Sequence, residues 1–172
     1  LKPFLYAAAI DKGLILPETV MLDIPTHYRN YSPENADYKN YGFVTAQTAL
    51  VKSLNIPAVR LLDKYGLYNF YSFLKSAGVT TLFRTADEYG LTLIIGGSEI
   101  KLYDLAKLYL GLAQYGTFSD IVYLRNSPVP EKIRLLSKGS CFLTLEMMKE
   151  VNRPSGEAFW RVIGNKRNIA WK

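Results

Sequence analysis

Residues 51 to 62 read VKSLNIPAVRLL, and the Ser53-Leu54-Asn55 triplet within them places a hydroxyl and an amide two residues apart. Pro57 restricts Ile56 to extended backbone and suits the first turn of a new helix. The preceding helix is therefore expected to end near Leu54, with Ser53 and Asn55 in the joint. In such a link the two side chains can point the same way and meet a peptide. One would pass a proton and the other would hold an amide or carbonyl. The plainer local alternative is that both satisfy helix ends.

Other chemistry-bearing residues are sparse. Cys141 is the one cysteine, so an internal disulfide is impossible and no Cys/His cluster has zinc spacing. Its neighbours Phe142, Leu145 and Met148 mark it as a core residue. His27, the one histidine, reads as a loop hydrogen-bonder, and a His-centred mechanism is not expected.

The elements that must carry Ser53 and Asn55 follow from apolar spacing. LKPFLYAAAIDKG reads as a helix with Pro3 near its start and Gly13 as its stop. From Leu14 to Asn40 the prolines at 17, 25 and 33 mark a long irregular connection, of a length that is often functional. Phe43, Gln47, Leu50, Val51 and Leu54 form one helical stripe opened by Thr45 or Gly42. A helix from Pro57 to Tyr65 follows, then one through Leu67, Phe70, Tyr71, Leu74 and Ala77 to Gly78.

GLTLIIGG reads as a buried strand or connection, its two glycines making no phosphate loop. Leu102, Leu105, Ala106, Tyr109, Leu112 and Ala113 give an amphipathic core helix ended by Gly116. TFSDIVYL is strand-like, NSPVPEK a loop, SCFLTLEMMKEV a helix leading to Pro154, and IAWK a strand entering a sheet. The result is one mostly helical unit with little sheet of its own.

Composition is that of a folded domain: 172 residues, 49% hydrophobic and 21% charged. The 13 Tyr and 8 Phe imply aromatic packing. A net charge of +6 is scattered except in the tail RVIGNKRNIAWK, and no nucleic-acid module accompanies it. A solvated basic surface is the reading, compatible with acidic peptides or anionic polymers. FLYAAAI is far too short to span a membrane. The opening on Leu and the close inside IAWK read as an excerpt of a longer protein.

The order LKPF, PENADYKNYGFVTAQTALVKSLNIPAV, YGLTLIIGG, LYDLAKLYLGLAQYG and IAWK resembles the transpeptidase domain of class A penicillin-binding proteins, the 1C type in particular. The resemblance runs over nearly the whole chain. It implies an α+β (α/β) serine transpeptidase or β-lactamase-like fold, an antiparallel sheet flanked by a helical subdomain. Residues 1–172 would be a partial domain, truncated at both ends and made mostly of the helical subdomain.

The family's three motifs, S-x-x-K, S-x-N and K-T-G, converge on one site. Lys2 matches the lysine of the first, Ser53-Leu54-Asn55 the second, and Lys172 the first residue of the third. Leu54 departs from the S-D-N of class A β-lactamases, which favours a synthase over a lactamase. The nucleophilic serine is expected three residues before Lys2, and the isolated piece is expected not to be acylated.

The resemblance implies attack on the penultimate D-alanine of a peptidoglycan stem peptide, an acyl-enzyme, and transfer to an amine; β-lactams would acylate the same serine. Lys2 would act as base, Ser53 would relay a proton, Asn55 would hold the substrate amide and Lys172 would attract its terminal carboxylate. No metal or organic cofactor and no nucleic acid is expected. The domain would sit at the extracytoplasmic face of the bacterial inner membrane, in the periplasm, joined to an anchor and a glycosyltransferase domain outside this chain. Alternatives are a D,D-carboxypeptidase, a β-lactamase-like hydrolase, or a non-catalytic helical binding module.

Overall fold

The computed structural model describes residues 1–28, 31–150, 170 and 172. Helix α1 (Lys2–Asp11) is buried from Lys2 to Ile10, with Pro3 at its first turn where a missing N–H costs nothing. A helix apolar on all sides belongs inside a core. Its Ala7, Ala8 and Ala9 run lets neighbours approach closely, and α1 packs against α2 (Ala46–Val51), α3 (Asn55–Tyr65) and α7 (Lys138–Lys149). Asp11 at its far end accepts from the Ser137 N–H at 2.8 Å and so ties α1 to the start of α7.

Two small antiparallel sheets lie outside this bundle. Strands β1 (Val20–Asp23) and β2 (Gly42–Thr45) pair Val20 with Thr45 and Asp23 with Gly42. Strands β3 (Thr117–Phe118) and β4 (Ile133–Arg134) form the second. Helices α4 (Leu67–Ser76), α5 (Ala86–Tyr89) and α6 (Leu102–Ala113) complete the unit, with a 3-10 segment Gly90–Ile95 between the last two. The expected mostly helical unit with little sheet is what forms among the described residues.

Several local expectations need correction. The 14–40 connection contains β1, and Phe43 lies on β2, 79% exposed, rather than on the α2 stripe. Pairing of four residues across β1 and β2 outweighs the helical spacing, and Thr45 starts α2 by accepting from Thr48 N at 3.1 Å. GLTLIIGG is the 3-10 segment and no strand, closed by Gly96 at φ 109°. TFSDIVYL keeps only Thr117 and Phe118 as strand.

In α6 the buried face is turned from the expected one. Leu112 is buried, but Leu102 is 82% exposed, and Asp104, Lys107 and Leu108 face inward. The Asp104 carboxylate accepts from Thr80 N and Thr80 Oγ1, both at 2.7 Å, and Lys107 donates to Asp120 at 2.8 Å. Polar partners across the packing face thus override apolar periodicity. Gly111 admits the Phe118 ring, which a methyl group would meet at 2.3 Å.

His27 and Cys141 behave as expected: His27 Nδ1 pairs with Ser32 Oγ at 2.7 Å, and Cys141 is fully buried, which pushes its thiol up to about 11. The expected run to Pro154, the basic tail and the IAWK strand lie outside the described residues apart from Ala170 and Lys172.

Candidate active site

Helix α2 ends at Val51, three residues before the position expected, and the reason fixes the Ser53 backbone. Ser53 N donates to Leu50 O and Leu54 N donates to Ala49 O, each at 3.0 Å. This paired closure requires a left-handed residue where Ser53 stands, a place usually taken by glycine. Ser53 adopts φ 58° there. A β-carbon in that region costs about 1–2 kcal/mol, and the serine hydroxyl is what remains in exchange.

The strain makes a prediction. Ser53→Gly is expected to stabilise the full-length protein by about 0.5–1 kcal/mol, because relief of strain exceeds the entropy glycine adds to the unfolded chain. Urea denaturation of parent and variant checks it.

Helix α3 begins at Asn55, two residues before Pro57. Its cap position is Leu54, whose side chain offers no acceptor. Neither Ser53 nor Asn55 therefore satisfies the end of α3 through its side chain, while Ser53 closes α2 through its backbone N–H. Ile56 at the second helical position tolerates the following proline because that first turn lacks internal acceptors for its N–H groups.

The Asn55 amide turns instead toward α1. Lys2 Nζ donates to Asn55 Oδ1 at 2.7 Å, to Ser53 O at 2.6 Å and to Ser53 Oγ at 3.3 Å. The other side of the Asn55 amide donates from Nδ2 to Glu34 O at 2.7 Å. Three acceptors thus surround one ammonium at the mouth of a buried helix, with Ser53 exposed and Asn55 half-buried.

Lys172 joins the same joint from the far end of the sequence. Its Nζ donates to Leu50 O at 2.5 Å and Val51 O at 3.2 Å, two carbonyls at the C-terminus of α2, where a cation is favoured. Its own carbonyl accepts from Tyr109 of α6 at 3.3 Å. Burial lowers the Lys172 amine to about 8. Lys2 is lowered to about 8 as well, first by burial and then by the nearby Lys172 charge. A lysine at that value is about one-tenth neutral at pH 7, against less than a thousandth for a solvated one.

All four residues singled out in the sequence, Lys2, Ser53, Asn55 and Lys172, therefore meet around the α2–α3 joint, although 170 positions separate the outermost two. A cleft of about 490 Å³ lies elsewhere, between β1 and α3, and none of the four lines it. Two residues the sequence reading passed over, Asp23 and Asn35, are buried beneath the joint. Only the length of the 14–40 connection hinted that it carries more than reach.

Residues 1–164 match the model of the penicillin binding protein transpeptidase domain. The chain belongs to this transpeptidase family. The α+β fold and class A, 1C-type assignment read from the sequence hold with it. Over its full 172 residues the chain is 32% identical to penicillin-binding protein 1C of Escherichia coli K12, of which it covers 22%.

Over 166 residues, 88% of the chain, it is 28% identical to penicillin-binding protein 1A of Aquifex aeolicus, again 22% of that protein. Penicillin-binding protein 1F of Bacillus subtilis is 31% identical over 121 residues, 69% of this chain and 16% of that protein. The transpeptidase chain thus spans about a fifth of the length of these relatives. Among the described residues no helix is long and apolar enough to cross a membrane.

Proposed function

We propose that residues 1–172 form part of a peptidoglycan D,D-transpeptidase domain that also binds penicillin. The observation that carries this reading is the Lys2 amine held against Asn55 and Ser53, with Lys172 beside it and its basicity lowered to about 8. In this reading a serine three places before Lys2 lies one helical turn away on the same face. A serine hydroxyl becomes a useful nucleophile only when a neighbour takes its proton. Neutral Lys2 takes it.

The serine oxygen then attacks the carbonyl of the penultimate D-alanine of a stem peptide. Ser53, through its hydroxyl 3.3 Å from Lys2, passes a proton to the departing nitrogen of the terminal D-alanine. Asn55 has a second Nδ2 hydrogen beyond the one given to Glu34, and offers it to a substrate carbonyl. Lys172 supplies positive charge for the terminal carboxylate. An amine of a second stem peptide accepts the acyl group; β-lactams stop the cycle at the acyl-enzyme. No step needs a metal or organic cofactor.

The same proposal assigns the rest of the parent protein a glycosyltransferase domain and a membrane anchor, with this domain on the periplasmic side. The test is labelling of the full-length protein by a fluorescent penicillin, then product analysis with a stem pentapeptide and an amine acceptor. Cross-linked peptide is the expected product. Release of D-alanine without cross-link would make the enzyme a carboxypeptidase, rapid penicillin turnover would make it a lactamase, and absence of any label would make it a non-catalytic module.

A further inference from the structure

Beneath the joint, two polar side chains are buried together, Asp23 at 0% and Asn35 at 4% exposure. Burial of a carboxylate and an amide costs several kcal/mol each unless every group is paired. Here they are. Asn35 Nδ2 donates to both Asp23 oxygens, at 2.9 and 3.0 Å, and to Lys39 O at 2.7 Å. Asp23 also accepts from Tyr41 N at 2.8 Å, next to the last pair of the β1–β2 sheet.

The Lys39 backbone carbonyl only accepts, so it dictates which end of the Asn35 amide faces it and the Asp23 oxygens. Its oxygen must face the other way. There Asn35 Oδ1 accepts from Asn55 N at 2.8 Å and, more weakly, from Ile56 N at 3.4 Å. These are orphan N–H groups of the first turn of α3, which Leu54 cannot cap. Asn35 thus caps α3 from a distant segment, while its neighbour Glu34 takes the Asn55 side-chain amide.

We propose that Asn35, oriented by Asp23, is a positioning residue for the active site: it fixes the backbone of Asn55 and leaves the Asn55 side chain to hold Lys2. The hydrogen bonds run without a break from the sheet end through Asp23 and Asn35 to Asn55 and Lys2. Were Asn55 to cap α3 itself, its oxygen would no longer meet the Lys2 amine. The inference deepens the transpeptidase reading and rests on it for its catalytic consequence.

The test uses the full-length protein, with the rate of acylation by a fluorescent penicillin measured per folded molecule. Asn35→Ala and Asn35→Asp are expected to slow acylation roughly 100-fold, the scale of an ångström-sized misplacement. The exchanged pair Asp23→Asn with Asn35→Asp restores one donor between the two side chains and an oxygen toward α3, while Lys39 O loses its donor as it does in Asn35→Asp alone. The pair is expected to acylate at least tenfold faster than Asn35→Asp alone. Thr85→Ala, which removes the capping box of α5, serves as a control for destabilisation alone and is expected to leave the rate unchanged.

Parent-like acylation of folded Asn35→Ala would overturn the proposal. If that variant does not fold, the exchanged pair decides: a folded pair no faster than Asn35→Asp overturns it, and a faster one supports it. Hydrogen exchange at the Asn55 amide gives a readout that needs no penicillin. An unlabelled parent, with Asn55 protection lost in the Asn35 variants alone, would sink the transpeptidase reading and leave the cap in place.

Discussion

Replacing Lys2 by methionine in the full-length protein is expected to slow acylation by a fluorescent penicillin about 10²- to 10⁴-fold, the range general-base catalysis supplies. Methionine keeps an unbranched chain in the α1 core but cannot take a proton. Stability is expected to fall by about 1–3 kcal/mol, because Asn55 Oδ1 and Ser53 O lose their donor while the apolar chain keeps its packing. Thermal melting separates the two effects. Acylation within tenfold of the parent would remove Lys2 from the role of base.

The same residue sets a pH dependence. In the proposed mechanism Lys2 works as a base only when neutral, and its value of about 8 places the change inside the accessible range. In the parent, acylation is therefore expected to climb about tenfold per pH unit below 8 and to fall again above it, as Lys172, also at about 8, loses the charge that holds the carboxylate. A rate that falls as pH rises toward 8 would mean that the charged amine is the active form.

Asn55→Asp is expected to act through that titration. The neutral oxygen now 2.7 Å from Lys2 Nζ would become a carboxylate, and an opposite charge so close raises a lysine by about 1–3 units. The sign is unfavourable to catalysis: the ammonium persists to higher pH and the neutral base becomes scarcer. At pH 7 acylation should drop roughly 10- to 1000-fold, and raising the pH should recover most of it.

The lost donor to Glu34 sets how much of the rate does not return. Stopped-flow acylation from pH 6 to 10 provides the check. A drop that is the same at every pH would assign Asn55 to substrate contact rather than to Lys2.

The helices of this protein were legible where burial and local chemistry agree. The all-apolar run after Pro3, the stop at Gly78 and the Thr45 cap each needed no partner to be read. The misplaced features are those decided by distant partners. Phe43 sits on a strand because β1 pairs with it, and α6 turns inward on Asp104 and Lys107 because Thr80 and Asp120 receive them.

The site divides the same way. Lys2, Ser53, Asn55 and Lys172 were found by motif order, and the structure brings them to one joint. Asp23 and Asn35 announce nothing in sequence, since an Asp ending a strand and an Asn after Pro-Glu are ordinary turn residues. Their role arises only when the fold buries them under a helix start that its own Leu54 leaves uncapped.

The most direct test is to digest the penicillin-labelled full-length protein and locate the adduct by mass spectrometry. The account predicts a single acylated serine three residues before Lys2, lost in the Lys2→Met protein. An adduct on Ser53, or on any residue that cannot reach the Lys2 amine, would contradict it.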